Sequence, residues 1–381
     1  MKKGWEYKKL PEISENLDSL RKPVTKKNRT AGIYPYYGAS GIVDYVDDYL
    51  FDEDLLCISE DGANLLMRTY PIAFPISGKV WVNNHAHVLR FKDMATQKYV
   101  EYFFAGFKVD EYITGAAQPK LTQKALNNIT IKIPNSIDEQ QSIVDYLDSA
   151  FAKIDAMKGN AEKALNEAKA LFQASLKKML EPKEGWEEKK MGDICEIIRG
   201  KRFVRTDIVE DGVPCIHYGD IYTHYGLSVK KTRGCINPEL AKKMRFAEKN
   251  DVVVVQAGEN NWDIGVGIAY FGDEPAAVHD ACFILKHKQN PMYITYYLRS
   301  YNYHWYLLDY VHEGKICSFL KPALENAPIP LPPLSVQQSI VDTLDSLKSK
   351  VDRLQDNYEK ISQECDALKQ AILRQVFDLT F

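Results

Sequence analysis

The chain has 381 residues, 45% of them hydrophobic, with 49 basic against 52 acidic side chains and seven cysteines. That is enough apolar material for two or three domains, and too even a charge balance for composition alone to announce nucleic-acid binding. No run approaches the roughly 18 apolar residues of a membrane span, the opening MKKGWEYKK lacks the apolar stretch of a secretion signal, and an odd set of cysteines without a C-x-x-C pair argues against a disulfide framework or a structural zinc site. A cytoplasmic protein with reduced cysteines is expected.

Taken in chain order, the elements come twice. GWEYKKLPEI at 4–13 is echoed by GWEEKKMGDICEI at 185–197, ALNNITIKIP at 125–134 by ALENAPIPLP at 323–332, and QQSIVDYLDS at 140–149 by QQSIVDTLDS at 337–346. So long a period is a duplicated domain followed each time by the same kind of connector, not a solenoid. The first domain, 1–133, mixes β-branched and aromatic runs such as KVWVNNHAHVLRF with turn residues and one aromatic helix candidate, KYVEYF from Lys98. Residues 183–331 repeat that frame with different filling: DVVVVQAGENN from Asp251 parallels DLLCISEDGAN from Asp54, and MYITYY from Met292 parallels KYVEYF. Neither domain is strongly basic, with 18 basic and 16 acidic residues in 1–133 and 19 and 20 in 183–331.

The connectors, 134–182 and 332–381, read as long helices. Spacings of four and three from Ile143 pass through Leu147, Ala150, Ile154, Met157, Ala161, Ala164, Ala168, Leu171 and Ser175; the same count from Ile340 passes through Leu344, Leu347, Val351, Leu354, Tyr358, Ile361, Cys365, Leu368 and Ile372. Both are sustained heptad seams. The alanine-rich seam allows close approach to the large-residue seam, which predicts an antiparallel pair within the chain. Ser136 with Glu139 and Ser335 with Gln338 fit the capping box of a helix start. The expected fold is therefore α/β, mixed α+β, with two similar globular domains in inverted arrangement separated by two long antiparallel coiled-coil helices.

Catalytic tools are scarce. There is no N-P-P-Y or D-P-P-Y tetrapeptide for amino methylation and no G-x-x-x-x-G-K-S/T phosphate loop. Glu6-Tyr7-Lys8 and Glu187-Glu188-Lys189 match the E-x-K of a nuclease core only superficially, without an upstream Pro-Asp, and read as a solvated first strand. His85 and His87 could share a strand face, yet lack a third metal ligand at characteristic spacing. Cys282, inside ACFIL, reads as a core residue. No metal and no cofactor is expected on this chain.

The combination resembles the specificity subunits of type I restriction-modification systems. The resemblance covers essentially the whole chain, and rests on IYPYYGASGIVDYVDDYLFDEDLLCISEDGANL in the first copy, VPCIHYGDIYTHYG and VVVVQAGENNWDIG in the second, and LPPLSVQQSIVDTLD at the last helix, all within the duplicated frame. It implies a non-enzymatic subunit whose two target-recognition domains each read half of a split, asymmetric double-stranded DNA site. The helix pair would set the unread spacer, two methylation subunits would bring S-adenosylmethionine, and restriction subunits would join the full complex. The alternatives left open are a coiled-coil scaffold spacing two domains and a stand-alone DNA methyltransferase or nuclease.

Candidate DNA contacts follow from residue type, since Arg and Lys suit guanine, Asn and Gln suit adenine, and any donor suits phosphate. In the first copy they are Tyr37, Ser40, Asn64, Arg68, Asn83, Asn84, Gln118 and Lys120. In the second they are Lys201, Arg202, Arg205, Tyr218, His224, Lys230, Lys231, Arg233, Asn260, Asn261 and Lys315. Each has a plainer counterpart: Asn83-Asn84 suits a hairpin turn, Lys230-Lys231 a solvated face, Tyr37 and Tyr218 a core.

Overall fold

The computed structural model describes residues 4–115 and 117–379. It forms two units, residues 1–162 with 358–381 and residues 163–357, and each of two long helices, Ile137–Leu180 and Leu334–Phe377, contributes to both.

In the first unit the entry strand Trp5–Lys9 pairs antiparallel with the exit strand Thr130–Pro134, so the repeated start and exit sequences meet in a two-stranded ribbon. Exposed Glu6 and half-buried Lys8 lie on it 3.6 Å apart, as a surface pair. A four-stranded antiparallel sheet follows, in the order Ser14–Asn16, Ala86–Phe91, Leu55–Ser59, Ala73–Ile76. A second sheet has the order Gly41–Val46, Ala31–Gly38, Lys79–Val82, Phe51–Asp52, with Tyr37 paired in parallel to Val82. LLCIS is buried throughout because both its faces are covered. Leu56 and Ile58 pack with Tyr99 and Phe103 of the helix Met94–Gly106, while Leu55 and Cys57 pack with Val80 and Val82 of the second sheet. That split is the period of two expected of a strand.

The second unit repeats this plan. Glu187–Lys190 pairs with Pro328–Leu331, and Val252–Val255 sends Val252 and Val254 to one core and Val253 and Val255 to another. Cys282 is fully buried in the latter, where burial pushes its thiol pKa up. The second copy adds several elements, among them the helix Tyr301–Leu308 and the strand pair Ala257–Gly258 with Cys317–Ser318, and the copies also differ at one hairpin. Between the hairpin strands Ala31–Gly38 and Gly41–Val46 the first copy turns at Ala39–Ser40. Between the corresponding strands Val213–Ile216 and Gly234–Ile236 the second copy inserts residues 217–233, carrying the helix Tyr218–Thr223 and the strand Ser228–Val229.

The repeated QQSIVD-x-LDS roots each helix in its unit. Gln140 is buried; its amide donates to the Pro134 carbonyl and accepts from the Thr96 hydroxyl. Gln337, also buried, donates to Pro332 and Gln289 and accepts from the Asn290 amide. Leu147 and Leu344 are fully buried, and Asp148 and Asp345 accept the hydroxyls of Tyr102 and Tyr296 from the aromatic helices. Ser136 caps the first long helix through the Glu139 amide. Ser335 does not cap the second, which starts at Leu334 with the Val336 and Gln337 amides on the Pro333 carbonyl.

Within each unit the long helices run antiparallel. In the first, Lys369 meets Asp155 and Lys158 meets Asp366; in the second, Lys169 meets Gln355 while Leu176 shares a core with Ile340 and Leu344. Ile143, Leu147, Ile154, Ile340, Leu344, Leu347, Val351, Leu354, Tyr358, Ile361 and Ile372 are buried or half-buried. Met157, Leu171 and Leu368 are corrected: they are 60%, 61% and 48% exposed. In the first helix the inward positions are Val144, Leu147, Phe151, Ile154, Lys158, Ala161, Leu165, Ala168 and Phe172. The expected and observed seams share every seventh residue and differ by one position between them, a degeneracy a 3.6-residue helix permits. Phe172, packed near the Tyr296 ring, decides the phase. Leu165, 3% exposed, and Leu171 separate the two phases. Leu165→Ala is expected to cost about 2–5 kcal/mol and Leu171→Ala no more than about 0.5 kcal/mol, read as midpoints of thermal unfolding by circular dichroism. Equal losses would refute the observed phase.

Candidate nucleic-acid interface

In the first unit four loops are stitched together by backbone bonds. Asn83 N–H donates to Tyr37, Glu60 N–H to His85, Gly62 N–H to Pro119 and Leu121 N–H to Glu60, and the Ser59 hydroxyl donates to the Ala39 carbonyl. Tyr37, Ser40, Asn64, Asn83, Asn84, Gln118 and Lys120 therefore belong to one loop cluster. Its exposed members are Ser40, Asn84, Gln118 and Lys120. Tyr37 stacks on Phe74, Asn83 is buried with its side chain accepting from the His85 amide, and Asn64 exchanges bonds with the Tyr70 backbone. These three build loops. Arg68 is turned inward instead: its guanidinium donates to the Phe104 and Phe107 carbonyls, which corrects its assignment as a DNA contact.

Beneath this cluster lies an ion network with no sequence signature. Asp18 Oδ2 is 2.6 Å from His87 Nδ1, and His87 Nε2 is 2.8 Å from the Leu121 carbonyl. Both ring nitrogens thus face acceptor oxygens. Arg21 bridges Glu60 at 2.7 Å and Asp18 at 3.3 Å, and Lys120 reaches Glu60 at 3.0 Å. Asp18, Glu60 and His87 are the only described group with metal-ligand spacing, but the ring nitrogens and carboxylates are already engaged and the two negative charges are balanced by cations. The trio is a structural ion network.

In the second unit the candidates gather around the inserted segment. Arg205, His224 and Arg233 line one cleft of about 370 Å³ with His217, Asp220 and Thr223. The Tyr218 ring lies 4.4 Å from that of His217, and Phe203, next to the exposed Lys201 and Arg202, packs against His217 and His279. Burial, reinforced by His279, pushes the His217 pKa down to about 4, so the ring is neutral near pH 7. Lys230 and Lys231 are exposed beyond the strand Ser228–Val229. Asn260 folds a turn by accepting from the Trp262 and Asp263 amides, and Asn261 is held by Glu313 in the same loop region as the exposed Lys315. Asp220, His217 and Thr223 were missed from sequence. The only signal was their presence in the HYGDIYTHYG run.

Burial alone would raise the Asp18 and Glu60 pKa values, but hydrogen bonds from His87 to Asp18 and from Arg21 and Lys120 to Glu60 outweigh it, and both carboxyls sit below their ordinary range. Groups lowered in the folded state stabilise it fully above the unfolded value of about 4, and that stabilisation is lost as pH falls through the folded value. Asp18→Asn is thus expected to cost about 3–5 kcal/mol at neutral pH, by stranding buried cations, and to flatten the fall of the melting midpoint below about pH 4. Parallel curves for variant and parent would show that the acid-labile element lies elsewhere.

The described residues include no helix long and apolar enough to cross a membrane. A family model described as the type I restriction modification DNA specificity domain matches residues 2–167 and again 183–363. A putative type I restriction enzyme specificity subunit of Haemophilus influenzae is 27% identical over 356 residues, covering 90% of this chain and 88% of that protein; the type I restriction enzyme MjaVIII specificity subunit of Methanocaldococcus jannaschii is 22% identical over 396 residues, with 94% and 89% covered. The HsdS subunit crystal structure from Thermoanaerobacter tengcongensis aligns with a TM-score of 0.59 at 17% identity over 99% of this chain and 97% of that one. A chain from a study of complex assembly and conformational transition of the type I restriction-modification system aligns at 0.71 and 18%, over 98% of each. With both copies of its duplicated frame matched, the chain belongs to the type I restriction-modification DNA specificity family and is a specificity subunit.

Proposed function

We propose that each target-recognition domain reads one half of a bipartite, asymmetric DNA site, while the long helices set the unread spacer and dock two methylation subunits. The chain itself is non-catalytic on this reading. S-adenosylmethionine and adenine methylation belong to the methylation subunits, and restriction subunits join for cleavage. The domains proper are 1–133 and 183–331, with 134–182 and 332–381 as the conserved helical regions.

The observation that carries this reading is one frame built twice with different loops on it. The same entry ribbon, sheet order and helix root recur, whereas a short turn at Ala39–Ser40 in one copy is replaced by residues 217–233 in the other. Identical roots suit identical partners, and unlike loops suit unlike half-sites. Each helix has 44 residues, and so is about 66 Å long at 1.5 Å per residue. That length suits half-sites about one to one and a half turns of B-DNA apart, a turn being about 34–36 Å.

Co-expression with a type I methylation subunit, followed by genome-wide mapping of methylated adenines, tests this. The expected result is a split motif with two different half-sites that appears only when this chain is present. A motif made without the chain, or none with it, would overturn the reading.

A further inference from the structure

We propose that the cleft at the inserted segment of the second copy reads a G·C base pair through its major-groove edge, with Arg205 addressing guanine and Asp220 addressing cytosine. This rests on the recognition role proposed above and deepens it. The argument starts from what the cleft offers. Arg205 is exposed at its rim beside Gly219, and Arg233 and His224 flank Asp220 at 3.3 and 3.5 Å. The Asp220 carboxylate thus accepts a hydrogen bond from the Arg233 guanidinium, with the His224 ring beside it.

His217 adds a fixed donor. It is 6% exposed, and its Nδ1 accepts the Gly219 amide at 3.3 Å, which leaves the proton on Nε2 in the neutral ring that lines the cleft. The space thus presents guanidinium and imidazole donors beside one anchored acceptor. Thr223 is occupied locally, its hydroxyl bound to the Gly219 carbonyl and to His224.

That mixture distinguishes two kinds of DNA contact. A backbone phosphate offers only acceptors and negative charge, and would be repelled by Asp220. A G·C pair offers two acceptors, O6 and N7 of guanine, next to one donor, the cytosine amino group. Two guanidiniums and an imidazole N–H with a single carboxylate match that pattern. An A·T pair places a donor where guanine has O6 and the thymine O4 acceptor where cytosine has its amino group, so it would oppose Arg205 with a donor and Asp220 with an acceptor. The first copy, turning at Ala39–Ser40, has no corresponding insertion, so the two half-sites would differ at this position.

The test is the methylation motif made by the complex of methylation subunits with wild-type chain, with Arg205→Ala and with Asp220→Asn, alongside salt-dependent DNA binding and melting midpoints. The expected result is a G·C pair in one half-site of the wild-type motif whose preference Arg205→Ala relaxes roughly tenfold to a hundredfold, with the other half-site unchanged and folding intact. Asp220→Asn is expected to relax the same position. Uniform weakening at all sequences with a shallower salt slope would mark a phosphate contact and overturn the proposal. So would a wild-type motif that Arg205→Ala leaves unaltered, or one without G·C in the affected half-site. A wild-type complex that makes no motif would overturn the recognition role itself and the cleft with it.

Discussion

A buried glutamine amide at the root of each long helix is the constraint on which the rest of each unit depends. A buried amide left without partners costs free energy comparable to several ordinary surface contacts, so Gln140 and Gln337 can be buried only if the strand exit and the helix start come together in one way. Pro134 and Pro332 supply the carbonyl acceptors at those exits, and Thr96 and Asn290 supply the donors. Leu147 and Leu344 then enter the cores beneath, and the Tyr102 and Tyr296 hydroxyls lock onto Asp148 and Asp345. The ten-residue repeat is thus a joint whose polar and apolar positions each have a partner, present once per unit.

On this fixed joint the loop chemistry is free to change without disturbing the frame. The amide of Glu60 donates to the residue 85 carbonyl and its carbonyl accepts from Leu121; Gln256 does the same with Ala281 and Phe319. Asn83 and His279 both donate N–H across the parallel strand pair, to Tyr37 and Ile216, and both offer a side-chain acceptor to the amide two residues on. These loop bonds are therefore common to both copies although the side chains around them differ. His87, bonded to Asp18 in the first copy, falls opposite Ile58 in the ladder, where the second copy has Cys282 and Phe283 against Val255 and Val254. The second copy therefore has no histidine at the rungs that correspond to His87 of the first.

The frame was legible in the sequence because its parts are local. Entry, exit and root motifs are contiguous runs, and an apolar run such as LLCI or VVVV implies a strand covered on both faces. The helix seam was legible in period but not in phase, because Met157 is more apolar than the inward Lys158 beside it and Leu171 as apolar as Phe172; the burial of Leu165 and the contact of Phe172 separate the choices. The candidate surface was legible by residue type alone. Asn64, Asn83 and Asn260 share the polarity of base-reading residues yet spend it on turns, and Arg68 spends its guanidinium on two carbonyls. Asp18, Arg21, Glu60 and His87 carry no common motif because the fold gathers them from separate strands and loops.

The even charge balance fits a surface that reads over one that merely adheres. Non-specific affinity for DNA grows with the number of free cations brought to phosphates, and here Lys120 is paired with Glu60 and Arg233 with Asp220. Pairing lowers the net attraction to any duplex, but it also fixes a guanidinium in direction before DNA arrives, which reduces the ordering cost of a bidentate contact. Discrimination depends on the difference between right and wrong sequences and gains nothing from attraction common to both. A surface that pairs some of its cations in this way can therefore add little to general attraction and still dictate which sequence is selected.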